Sequence, residues 1–189
     1  MKIIKTLAVL MVTSILSVNS VNAQSMSNEK TVDVGGAAMY PSKNIIENSV
    51  NSKDHTTLVA AVKAAGLVET LQSAGPFTVF APTNEAFDKL PKGTVETLVK
   101  PENKTTLTNI LTYHVVSGKL DSKALSEMIK KENGKAALTT VNGQKLMVSM
   151  KGNKVVLTDA KGGMSMVTIK DVYQSNGVIH VVDTVVMPK

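Results

Sequence analysis

The stretch that decides the fold is Asn176-Gly177-Val178-Ile179-His180-Val181-Val182-Asp183. Asn-Gly is a tight-turn pair, and a β-branched run follows it. The run is apolar on both faces apart from His180, and the apolar character resumes at Val185-Val186-Met187. A strand of that kind belongs at the centre of a sheet. Upstream, Asn142-Gly143 and Gly152-Asn153 are two further hairpin signals. Between them Leu146, Val148 and Met150 alternate with Met147, Ser149 and Lys151, the period of a half-buried strand. Val155-Val156-Leu157 predicts the next strand, and Val167 with Ile169 another that runs to Val172-Tyr173.

The first half reads differently. Leu58, Val59, Val62 and Ala65 form a helical stripe that Gly66 can cap, and Leu67, Val68 and Leu71 continue as a second helix. Pro41-Ser42 offers an N-cap for a short helix through Ile45 and Ile46. Thr83 or Asn84 can cap a helix with Phe87 and Leu90, and Pro91 and Pro101 bracket one with Val95, Leu98 and Val99. Leu107, Ile110, Leu111 and His114 fall at i, i+3, i+4 and i+7, so His114 ends the apolar face of a helix. Asp121 or Ser122 caps a last helix with Leu125, Met128 and Ile129. Within this half, Phe77-Thr78-Val79-Phe80-Ala81, ended by Pro82, is β-rich. It is expected to join the late strands in one core, giving an α+β single domain.

Composition narrows the function. All 21 basic residues are Lys, so the two-pronged guanidinium grip on phosphate is missing. Aromatics are 3%, too few for a base-stacking surface, and nucleic-acid binding is not expected. With no Cys, thiolate metal sites, disulfides and Cys nucleophiles are excluded. Residues 1–23 read as a signal peptide: Lys2 and Lys5, an apolar run from Leu7, then Val21-Asn22-Ala23 before Gln24. Cleavage there leaves 166 residues with 19 Lys against 15 acids, a net charge of +4 and no membrane anchor, so a secreted or periplasmic protein is expected. Residues 24–43, polar and then Gly-rich, read as a loose N-terminal arm.

No motif spells out a reaction. Gly118-Lys119 lacks the earlier glycine and the following hydroxyl of a phosphate loop. Gly163-Met164-Ser165-Met166-Val167 lacks the second glycine of a nucleophile elbow. His55, among polar residues, is expected to be solvated; His114 and His180 are expected as buried imidazoles hydrogen-bonded to backbone or a neighbouring side chain. Met147, Met150, Met164 and Met166 cluster on hairpin strands, and thioethers are soft ligands for Cu(I). Met147 and Met150, three apart, face opposite ways on a regular strand, whereas Met164 and Met166 share a face.

Three segments in order carry a resemblance. Phe77-Thr78-Val79-Phe80-Ala81-Pro82-Thr83-Asn84-Glu85-Ala86-Phe87, then Leu111-Thr112-Tyr113-His114-Val115-Val116, then Asn176 to Asp183 with Val185-Val186-Met187-Pro188 resemble the hallmark segments of fasciclin domains. The resemblance places the domain at 44–188. It implies a wedge-like β-sandwich flanked by helices, with no cofactor and no catalysis. It also implies cell adhesion or binding to a surface or matrix protein or polysaccharide. Its Tyr-His segment makes Tyr113 and His114 candidate partner-binding residues, in competition with a structural role for His114. The alternative is a periplasmic small-ligand or Cu(I) binder using the methionines, and a hydrolase with His114 or His180 as base comes last.

Overall fold

The structure is a computed structural model that describes residues 29–189. The expected signal peptide lies outside the described residues.

The polar segment expected as a loose arm contains a hairpin, β1 (Val32–Val34) and β2 (Ala37–Met39). Val34 and Met39 are buried, which ties it to the core. Its turn crosses Ser52 so closely that a Cβ on Gly35 would lie 2.5 Å from the Ser52 hydroxyl oxygen. Strands of three residues show no period long enough to read in advance. Helix α1 (Ile45–Ser49) starts from Asn44 rather than Ser42. The Asn44 carboxamide accepts from the Ile46 and Glu47 N–H groups, and Glu47 answers the Asn44 N–H at 2.8 Å. Ser42 instead donates to Glu29 at 2.8 Å.

Helices α2 (Thr56–Ala65) and α3 (Val68–Gln72) meet at Gly66, whose φ of +73° closes α2. Strand β3 (Phe77–Pro82) follows, then α4 (Asn84–Asp88), α5 (Thr94–Leu98) and α6 (Lys104–Tyr113). Next come β4 (Val115–Ser117) and α7 (Ser122–Lys131), which Asp121 caps through the Ala124 N–H. The remaining strands are β5 (Lys135–Thr139), β6 (Lys145–Lys151), β7 (Lys154–Thr158), β8 (Met164–Gln174) and β9 (Gly177–Val182).

The seven strands β3 to β9 pair in the order β4-β3-β9-β8-β7-β6-β5. Strand β9 is central, as its two-faced apolar run implies. It runs parallel to β3, from Phe77 opposite Gly177 to Pro82 opposite Val182. The long β8 belongs to both halves of the sheet and breaks register between Val167 and Val172, where the sheet bends. A bridge from Val116 to Thr140 brings the two outer strands together, so the sheet rolls almost into a barrel.

Burial falls into two clusters on opposite sides of β3 and β9. Val79, Ala81, Ile179 and Val181 pack under the helices with Leu58, Val62, Leu107 and Leu111. Phe80 and Val182 pack inside the rolled sheet with Leu125, Leu146, Val148 and Leu157. Each such side chain contributes about 1.5–3 kcal/mol on burial. The expected β character of Val185-Val186-Met187 is not realised. The Asp183 carboxylate takes the Met166 N–H at 2.8 Å, ending the ladder, and Val185 and Val186 are buried as irregular chain.

Candidate functional site

The Tyr-His segment lies at the joint between the two cores. Tyr113 is the last residue of α6, and its ring is fully buried. Its hydroxyl donates to the Lys145 carbonyl at 2.9 Å and accepts from the Ala160 N–H at 3.1 Å. Burial raises its pKa. His114 caps α6 and is 2% exposed. Its Nδ1–H donates to the Ile110 carbonyl at 2.9 Å, and its Nε2 accepts from the Val186 N–H at 3.2 Å. That pairing needs the neutral ring. Burial pushes the His114 pKa down to about 4, against the opposing pull of the Ile110 carbonyl and of Asp159.

His180 in β9 repeats the pattern as the mirror tautomer. Its Nε2–H donates to the Leu120 carbonyl at 2.8 Å, and its Nδ1 accepts from the Asp171 N–H at 3.3 Å. The ring stacks on Phe80 with centroids 5.7 Å apart, and burial lowers its pKa. Both histidines thus have both nitrogens occupied by backbone, leaving no free base.

His55, expected in solvent, is instead 3% exposed, because the β1–β2 turn folds over its neighbourhood. Its Nδ1 shares a hydrogen bond of 2.9 Å with the buried Ser52 hydroxyl. Its Nε2 has no hydrogen-bonding partner among the described residues. Burial lowers its pKa; the nearby Ala81 carbonyl and Asp54 pull the other way. The Ser52–His55 pair resembles half of a nucleophilic dyad, but Ser52 is 2% exposed beneath Gly35 and no substrate carbonyl can reach it. Among the described residues no three His, Asp or Glu side chains converge as metal ligands.

Several joining residues carried no signal of their own in the sequence. Asn176, read as turn punctuation, is 6% exposed and clamps three elements. Its Oδ1 accepts from the Ile45 N–H at 3.1 Å, and its Nδ2 donates to the Leu71 and Ser73 carbonyls at 2.8 and 2.9 Å. Asn84 similarly accepts from the Thr57 N–H at 3.0 Å and donates to the Lys53 carbonyl at 2.8 Å. Asn48 donates to Gln174, pinning α1 to β8.

The methionines divide by face. Register sets Ala137, Met147, Thr158 and Met164 in one cross-strand row, and Lys135, Ser149, Val156 and Met166 in the next. These rows form the outer face of the sheet, while Met150 lies on the other side, where the Ser126 hydroxyl of α7 approaches its sulfur at 4.0 Å. Met147 and Met164 stand two strands apart, about 10 Å of backbone, so the adjacent thioether pair is Met164 with Met166. A second feature is a small apolar pocket of about 40 Å³ between α1, α2, α3 and the sheet, with Ile46, Val59 and Val68 along its sides and Lys63 also in its lining.

With this geometry in view, comparison with known proteins gives a consistent result. The fasciclin domain model matches residues 53–188. Protein sll1483 of Synechocystis is 45% identical over 166 residues, covering 88% of this chain and 85% of that one. The transforming growth factor-beta-induced protein ig-h3 of Sus scrofa is 40% identical over 131 residues, 69% of this chain but 17% of its own length. The solved FAS1 domain pair of the insect cell adhesion molecule fasciclin I superposes with a TM-score of 0.68 at 19% identity, covering 77% of this chain and 51% of that one. The chain belongs to the fasciclin domain family, and its fold is the α+β fold of that structure.

Proposed function

We propose that the protein is an exported, non-catalytic interaction module that binds a component of the cell surface or matrix. The observation that carries this reading is the family match over a chain whose three histidines are all buried, with both ring nitrogens of His114 and His180 spent on backbone bonds. No helix among the described residues is long and apolar enough to cross a membrane. Tyr113 and His114, in this reading, hold α6 against the sheet and the last residues, and the partner is met elsewhere. The test is retention of envelope proteins and matrix polymers on the immobilised protein, against a heat-unfolded control. Equal retention by both would overturn the proposal, as would turnover of esters or glycosides that is lost on His114→Ala or His180→Ala. The Cu(I) alternative rests on Met164 and Met166 alone; copper retained against a chelator and lost on Met164→Leu with Met166→Leu would replace the first reading.

A further inference from the structure

The outer face of β5 to β8 has an unusual charge pattern. These strands carry Lys135, Lys145, Lys151, Lys154 and Lys170, and Asp171 is their only carboxylate. Asp171 is not available to the lysines. At a φ of +60° it turns to α7, where it accepts from the Ser122 N–H at 2.6 Å and the Ser122 hydroxyl at 2.5 Å. Of the carboxylates flanking these strands, Asp183 accepts from the Met166 N–H and lies 4.0 Å from Lys89, Asp159 accepts from the Gly163 and Met187 N–H groups, and Glu132 stands exposed at the end of α7, three residues before Lys135. The centre of the face is mostly soft and apolar: Met147, Met164 and Met166 around the buried Val156, with Ala137 beside them and the small hydroxyls of Ser149 and Thr158 between. Met164 is 68% exposed. Lysines bound that centre at both ends of the strands. Lys145 stands at one end beside Thr139; Lys135, Lys151 and Lys154 stand at the other, where Lys154 and Lys170 line one hollow. Lys145 and Lys151 are about 20 Å apart along β6.

Deepening the interaction-module reading, and resting on it, we propose that this face docks on an anionic lipid surface. The lysines meet lipid phosphates, and the thioethers settle at the boundary between headgroups and acyl chains. The chemistry selects this partner over others. A hydrated acidic polysaccharide has no use for a thioether centre. The strands of the face hold no Arg or Trp, and Tyr173, their one aromatic, bends away to Asp121; a protein partner would draw on such anchors. A second copy is repelled by like charge. Mobile point charges around unbranched, adaptable side chains suit a fluid surface.

The test is co-sedimentation of the protein with phosphatidylglycerol/phosphatidylcholine vesicles at low salt, beside pure phosphatidylcholine vesicles and soluble polygalacturonate. Binding is expected only to the anionic vesicles. Lys135→Gln, Lys151→Gln and Lys154→Gln should each weaken it about fivefold, and Met164→Gln should weaken it further. Lys92→Gln with Lys100→Gln, twice the charge removed but from the helical side, should change it less than twofold. All these positions are exposed, so the variants should unfold at the wild-type midpoint. Absence of vesicle binding, equal loss from Lys92→Gln with Lys100→Gln, or binding to polygalacturonate instead would overturn the lipid assignment. The last result would leave the interaction-module reading standing.

Discussion

His114 concentrates the chemistry of the Tyr-His segment in one ring. Protonating it breaks the bond from the Val186 N–H, because Nε2 can then no longer accept. The sign follows from the depressed pKa. The unfolded chain takes up a proton near pH 6.5, whereas the folded chain resists until about pH 4. Stability from the neutral ring is therefore complete above pH 6.5 and is lost as the pH falls from 6.5 to about 4, a loss of about 3 kcal/mol. His55 and His180, also depressed by burial, add to the loss in the same direction. Urea midpoints measured from pH 7.5 to 4 should fall, and His114→Gln should flatten the fall; an unchanged slope in the variant would contradict the assignment. His114→Ala should itself cost about 1–3 kcal/mol at neutral pH, through an unpaired Val186 N–H and a small void. The burial of His114 and His180 was legible, because both sit inside apolar runs. That of His55 was not: the turn that crosses beside it at Gly35 lies twenty residues upstream, and nothing in its own neighbours announces it.

Among the elements, the join between β8 and β9 does the most to hold the helices to the sheet. Asn176 reaches α1 and the end of α3 from this turn, so Asn176→Ala strands one amide and two carbonyls. A loss of about 2–4 kcal/mol is expected in chemical unfolding, and a loss below 1 kcal/mol would show that water replaces the clamp. Gly177 next to it has a separate reason to be glycine: an added Cβ would lie 2.1 Å from the Phe77 carbonyl oxygen, within the β3–β9 pairing. Gly177→Ala should cost at least about 1–3 kcal/mol by forcing those strands apart, with far-UV circular dichroism of the heated variant as the check. Helix stripes, hairpin turns and the centrality of β9 could be read because each is written locally, as a period or a turn pair. The long-range amide bonds of Asn48, Asn84 and Asn176 could not, since Asn before Gly or near a helix start has an adequate local explanation already.

For the molecule as a whole, two hydrophobic cores share β3 and β9 as a common wall. Val181 faces the helical core and Val182 the sheet core, one residue apart. A single cooperative transition follows, because neither core can lose the wall without the other. Val181→Ala and Val182→Ala should each lower the same midpoint, by about 1–3 kcal/mol, whether followed by circular dichroism or by tyrosine fluorescence. Two separated transitions would refute the shared wall. The α+β class and the partnership of the early strand with the late ones were apparent from pattern alone; the parallel direction of that pairing and the bend in β8 emerged only from packing.

The parallel pairing of Phe77 with Gly177 also governs when folding can happen. The wall on which both interiors rest has no second half until the final strand has been delivered, so the growing polypeptide stays open throughout most of its synthesis. Closing so wide a loop is slow. That kinetic habit suits the proposed export, which requires a chain still threadable when it meets a translocation pore.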